Sequence, residues 1–195
     1  MLTFYHASKS RSDRVLWLLQ ELDAPVETIR TDIRRQDGSG GRDPRNPHPE
    51  GKVPALVHDG DLVTESGAIL LYLTDLFPER GLGIGASEPG RGAYLTWLFW
   101  YGGVLEPVYL LEMMGVSDHP IAHTTFRDRE AVAARLSAAL RTGPWLMGER
   151  FTAADILLCS LYLYLPDAVP ADPAVRDWIA RCTARDAFAR AQALD

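Results

Sequence analysis

Three short polar clusters carry the residue types that could do chemistry in this chain. The first is Lys9-Ser10-Arg11-Ser12-Asp13-Arg14. It lies between an apolar run at Leu2 to Tyr5 and a helical pattern, so its hydroxyls and backbone donors sit at a helix N-terminus. Such a place favours an anion such as a thiolate. Ser12 fits the helix N-cap, which leaves Ser10 as the hydroxyl without a capping duty. The second cluster is Gly51-Lys52-Val53-Pro54-Ala55-Leu56. Proline tolerates a cis bond. A cis Val53–Pro54 bond would turn the chain and point the Val53 N–H and C=O away from the sheet, where an extended peptide could pair with them. A trans proline starting an edge strand is the alternative. The third is Glu65-Ser66. Ser66 is an N-cap by type and position. Its hydroxyl and the helix N-terminal N–H groups could equally bind a carboxylate, with Glu65 beside it to accept an amine. An amine and a carboxylate on one carbon make an amino-acid head group.

Other chemistries find little support. The five histidines are scattered, without metal-ligand spacing and without a hydrolase-like Ser/His/Asp pattern, so no metal is expected. His6, at a strand end, is a site candidate or a structural residue. Cys159 and Cys182 are the only cysteines and lie outside metal-ligand spacing; they are expected to be reduced thiols of a cytoplasmic protein. A net charge of -6 argues against nucleic acid or an anionic membrane as partner. No apolar run is long enough to span a bilayer, and the start lacks a secretory leader.

The elements that must position these residues follow from periodicity. Leu2 to Tyr5 reads as a strand, Val15, Leu18, Leu19 and Leu22 as one face of a helix that Pro25 ends, and Val26 to Ile29 as a strand. That βαβ unit implies parallel pairing with a right-handed crossover. Arg34 to Pro49 is rich in Gly, Pro and Arg and is expected as an irregular, mobile loop. Ala55 to His58 and Leu62 to Thr64 form a hairpin about Asp59-Gly60. Ser66 opens a helix with Ile69, Leu70, Leu73 and Leu76 inward, stopped by Pro78. The rest is helical: a long helix from Glu88 to about Met114, bent at Gly102-Gly103 or Pro107, and helices over 124–141, from Thr152, and over 173–184. Thr152 and Asp155 make a capping box, with Phe151 and Ile156 as staple. The aromatic residues around Trp97, Phe99, Trp100, Tyr101 and Tyr109 are core by spacing, although Trp97 and Tyr101 could wall an apolar pocket.

Together these features resemble the glutathione transferase family, over essentially the whole chain. Lys52-Val53-Pro54-Ala55-Leu56 with Glu65-Ser66 looks like its glutathione-binding signature, Phe151 to Asp155 like its C-terminal capping box and staple, and Ser10 to Leu19 like bacterial and fungal members with a serine at the first helix. The resemblance implies an α/β thioredoxin-like N-terminal domain over 1–78, a linker over 79–90 and an all-α C-terminal domain over 91–195. It implies glutathione as co-substrate. Val53 pairs with the cysteinyl part across a cis Pro54, Glu65 and Ser66 hold the γ-glutamyl head, Lys52 and His48 lie near the glycyl end, and Ser10 hydrogen-bonds the sulfur. Members with an N-terminal tyrosine would use Tyr5 instead. Arg42 or Arg45 could meet a glutathione carboxylate. The implied activity is thiolate attack on a small electrophile or a peroxide in detoxification, by a cytoplasmic homodimer. A binding or regulatory protein without transferase activity and a glutathione-dependent isomerase or lyase are the alternatives.

Overall fold

The computed structural model describes residues 1–195, which divide into two compact units: residues 1–80 with 185–195, and residues 81–184. The first unit runs β1 (Leu2–His6), α1 (Asp13–Leu22), β2 (Val26–Arg30), β3 (Ala55–His58), β4 (Asp61–Thr64) and α2 (Ser66–Leu76). Its sheet has the order β2-β1-β3-β4. β1 is parallel to β2, as a helical crossover demands, and the β1–β3 and β3–β4 pairs are antiparallel. Val15, Leu18, Leu19 and Leu22 of α1 and Ile69, Leu70 and Leu73 of α2 are buried, so the apolar spacing does place both helices on the core.

The register decides where function can lie. Tyr5 stands opposite Ala55, Ala55 opposite Thr64, and His6 opposite Arg30. The chain therefore leaves β1, leaves β2, enters β3 and leaves β4 at one end of the sheet. All three polar clusters are carried to that end.

The second unit contains α3 (Arg91–Trp100), a π-helical segment (Tyr101–Leu105), α4 (Glu106–Met113), α5 (Pro120–Phe126), α6 (Arg129–Leu140), α7 (Ala153–Tyr164) and α8 (Pro173–Thr183). The expected long helix is present but widens at Gly102-Gly103, where two residues without Cβ let the turn relax into π geometry. The helix expected over 124–141 is two helices. Arg127 takes φ 67, and the Asp128 carboxylate accepts the Ala131 N–H at 2.8 Å to start α6. The stretch read as a linker is docked rather than free: Leu82 and Ile84 are buried, and the Leu82 carbonyl accepts the Ala153 N–H at 2.8 Å. No helix is long and apolar enough to cross a membrane.

One element departs from the expected order of domains. A last helix, α9 (Asp186–Leu194), belongs to the first unit. Ala187 and Ala191, one turn apart, are buried and let it approach α1 closely. The Phe188 ring meets Trp17 edge-on at 4.9 Å, and Arg185 donates to both carboxylate oxygens of Glu21 at 2.6 and 2.8 Å.

Candidate glutathione site

The segment before β3 holds a cis Val53–Pro54 bond. The β1–β3 ladder stops at the Tyr5–Ala55 pair, so it takes up neither the N–H nor the C=O of Val53. The approach to Val53 is anchored by the long loop, which is irregular as expected but tied down where mobility was expected. Asp43, Asn46 and His48 are buried. Asn46 donates its side-chain amide to the Lys52 carbonyl at 2.9 Å. The His48 Nδ1 accepts the Glu50 N–H at 3.1 Å, which gives this ring a loop-ordering role. Lys52 projects into solvent and pairs with Glu50. Arg45 is bound to the Asp43 carboxylate at 2.7 Å and to the Arg30 carbonyl at 3.0 Å. The Arg45 guanidinium and then the Arg45 backbone N–H hold the Asp43 carboxyl down at about 2, and the pairing keeps Arg45 engaged within the loop.

After β4 the geometry corrects one expectation. Ser66 is not the N-cap of α2; it is the first residue of the helix, and Glu65 occupies the cap with φ 70 and ψ 125. A non-glycine residue in that region costs about 1–3 kcal/mol, which the flanking β4 ladder and α2 must sustain. The Glu65 carbonyl accepts the Ile69 N–H at 2.9 Å. No side chain caps α2. Its first-turn N–H groups and the half-buried Ser66 hydroxyl remain available to an anion, with the exposed Glu65 carboxylate beside them.

The loop from β1 to α1 corrects a second. Ser12 is fully buried, has helical backbone angles and makes no capping bond. Its hydroxyl turns back into the unit, accepting the Ala7 N–H at 3.1 Å and lying 2.8 Å from the Nδ1 of His6. Ser10 is half-buried. Its Oγ donates to the Ala7 carbonyl at 2.6 Å and lies 2.8 Å from the Ser12 Oγ. The Ser10 N–H is shared by the two oxygens of Asp13 at 3.2 Å each. From the loop after β2, Arg35 donates to the Ser8 carbonyl at 2.9 Å and helps hold this turn.

Burial raises the Asp13 carboxyl to about 6, with the nearby Asp195 adding to the rise and the Ser10 N–H opposing it. A raised acid binds its proton in the folded state at a pH where the unfolded chain has lost it. Its contribution to stability is therefore present below the unfolded value of about 4 and is lost as pH rises through 6. Asp13→Asn is expected to flatten the fall in unfolding free energy between pH 4 and 6, read by urea titration at several pH values. An unchanged slope would refute that assignment.

The helical unit places the remaining candidates. Trp97 is buried edge-on against Trp100 at 5.4 Å, and the Arg135 guanidinium lies 4.9 Å from its ring centre. Tyr101 is buried and donates to Glu106 at 2.8 Å. Both residues thus have packing roles of their own. Cys159 and Cys182 are free and buried in this unit, far in sequence from the three clusters. Sequence reasoning missed the pairing of His6 with Asp195, whose Oδ1 lies 2.9 Å from the His6 Nε2 across 189 positions. Nothing local signals a contact of that separation.

Residues 4–81 match the glutathione S-transferase N-terminal domain and residues 108–186 match the glutathione S-transferase C-terminal domain. The chain belongs to the glutathione transferase family. Among curated relatives, the disulfide-bond oxidoreductase YfcG of Escherichia coli K12 is 29% identical, over 98% of this chain and 94% of its own. A glutathione transferase from Methylococcus capsulatus superposes with a TM-score of 0.79 at 26% identity, covering 100% of this chain and 98% of the other. A sphingomonad glutathione S-transferase solved in complex with glutathione gives 0.74 at 28% identity, covering 98% of both chains. The thioredoxin-like first unit and helical second unit are thus those of the transferase fold.

Proposed function

We propose that this chain binds glutathione at the shared end of its sheet and stabilises the thiolate for attack on an electrophilic carbon or a peroxide. The observation that carries the reading is the convergence set by the strand register: an unladdered Val53 beside a cis proline, an uncapped α2 beside Glu65, and Ser10 at the start of α1. Val53 pairs with the cysteinyl backbone. The α2 N-terminus and Ser66 take the γ-glutamyl carboxylate, Glu65 takes its amine, and Lys52 stands toward the glycyl carboxylate. Ser10 turns its hydroxyl from Ala7 to the sulfur. A free thiol titrates at about 8.5. One charge-assisted hydrogen bond is worth about 1.5–3 kcal/mol, enough for a shift of about one unit. A cytoplasmic homodimer is part of this reading; Phe99 on α3 is 69% exposed and apolar, as an interface residue would be in the free chain.

A second reading is favoured by one specific observation. The relative spanning nearly the whole chain is named a disulfide-bond oxidoreductase. Both cysteines of this chain are buried in the helical unit, so the reducing thiol would be that of glutathione. Parallel assays with an aryl halide, a hydroperoxide and a small disulfide separate the two. Binding without turnover of any acceptor would leave a binding protein. For the thiolate role, Ser10→Ala is expected to raise the pKa of the bound thiol by about one unit and lower turnover about tenfold. Unchanged turnover rejects Ser10 as the activating residue.

A further inference from the structure

The first unit holds an unbroken line of hydrogen-bonding side chains that ends at Ser10. Asp195 Oδ1 lies 2.9 Å from His6 Nε2, His6 Nδ1 lies 2.8 Å from Ser12 Oγ, and Ser12 Oγ lies 2.8 Å from Ser10 Oγ. His6 and Ser12 are 1% and 0% exposed, so water does not interrupt the middle of the line. Only its two ends, Ser10 and Asp195, reach the surface in part. Capping explains none of it, because Ser12 makes no capping bond.

We infer that Asp195, His6, Ser12 and Ser10 form a proton wire through which His6 takes the thiol proton of a ligand bound at Ser10. This inference rests on glutathione binding as proposed above. The proton positions follow from donor arithmetic. A carboxylate only accepts, so Asp195 keeps a proton on His6 Nε2 and leaves Nδ1 as acceptor. Ser12 then donates to Nδ1 rather than to the Ala7 carbonyl 3.1 Å away, and Ser10, whose proton otherwise goes to that carbonyl at 2.6 Å, turns to donate to Ser12 once a thiol donates to it. When a thiol donates to Ser10, three protons shift one place. The S–H bond breaks as an O–H forms on Ser10, the former Ser10 proton moves to Ser12, and the former Ser12 proton moves to Nδ1. The products are a thiolate and an imidazolium held by Asp195. The hydrogen bonds from the sulfur to His6 Nδ1 survive with their direction reversed, the Nε2–H bond to Asp195 is unchanged, and the Ser10 hydroxyl now donates to the sulfur. Protonating a leaving group or water returns the proton.

The surroundings suit a base that starts neutral. Burial lowers the His6 pKa, Arg30 and Arg35 lower it further, and Asp195 opposes them. The other charged group facing it is Asp13, whose carboxylate oxygen lies within 4.8 Å of both the His6 ring nitrogen and the Asp195 carboxylate. The arrangement is that of a Ser-His-Asp relay lengthened by one hydroxyl.

The decisive test needs no substitution. The ¹⁵N shifts of the His6 ring are expected to change from a neutral Nε2–H tautomer to a doubly protonated ring on adding glutathione, and to stay neutral with S-methylglutathione, which has no thiol proton. Calorimetry in buffers of different ionisation enthalpy should show that wild-type binding releases almost no proton. His6→Gln should release one per thiolate formed, and its kcat/KM at pH 7 should fall about tenfold. That is a small loss for a general base, because a thiol ionises partly in water. Asp195→Asn, at the partly exposed end, should shift the pH profile of kcat/KM upward and serves if His6→Gln fails to fold. A bound thiolate that Ser10→Ala abolishes, with His6 neutral throughout, overturns the wire and leaves the proposed function standing. Absence of any bound thiolate in the wild type overturns both.

Discussion

Asp155→Ala is expected to lower the unfolding free energy by about 3–5 kcal/mol, the range for removing one partner of a buried charged network. Asp155 is fully buried at the start of α7. Its Oδ1 accepts the Leu146 N–H and the Trp178 indole N–H, each at 2.9 Å. Its Oδ2 accepts the Thr152 N–H at 2.9 Å. One carboxylate therefore ties together the turn before α7, the first turn of α7 and the middle of α8. Alanine leaves three buried N–H groups without acceptors, each costing about 1–3 kcal/mol before relaxation. Burial pushes the Asp155 carboxyl up, and these three N–H groups and the Thr152 hydroxyl, 3.3 Å from Oδ2, pull it back. Asn is no substitute, since its NH₂ would face a donor. Urea denaturation followed by tryptophan fluorescence reads the effect, because Trp178 is itself a member of the network. A loss below about 1 kcal/mol would mean that the site collapses around the missing group and that the network is not what holds α7 to α8.

Glu65→Ala is expected to weaken glutathione binding about 10–100-fold, the worth of a charge-assisted hydrogen bond at 1.5–3 kcal/mol. The stability of the protein should hardly move, because the Glu65 side chain is exposed and caps nothing in α2. Its φ of 70 remains strained with alanine, so the variant also keeps the backbone cost. Titration calorimetry against glutathione measures the loss. A glutathione analogue lacking the γ-glutamyl amine closes the cycle: it should bind the wild type weakly and bind Glu65→Ala with nearly the same affinity. Two independent, additive losses would show that Glu65 does not meet the amine.

Much of this was legible in the chain because it is local. The capping box needs only Thr152 and Asp155 three residues apart, and it forms as read. The apolar spacing in α1 and α2 and the hairpin around Asp59-Gly60 are equally local, and so are the two strands that α1 joins. Ser12 and Ser66 show where local reasoning fails. Both have the residue type of a cap, yet neither caps, because tertiary neighbours claim the Ser12 hydroxyl and the turn out of β4 moves the cap of α2 back to Glu65. The expected mobile loop failed for a related reason. Composition shows the glycines and prolines but not that Asp43, Asn46 and His48 are buried beneath them.

The sequence alone determined the elements from β1 to α2, their order and the family, because hydrophobic period, turn chemistry and caps act over a few residues. It also placed Ser10, Val53-Pro54 and Glu65-Ser66 at the ends of strands and helices. Only the tertiary structure decided that these ends coincide, since strand register is a contact between distant segments. It alone returned α9 to the first unit, where small residues at 187 and 191 let that helix settle on α1. It alone joined Asp195 to His6, because burial removes water as a competing partner and makes an otherwise weak contact between distant residues hold.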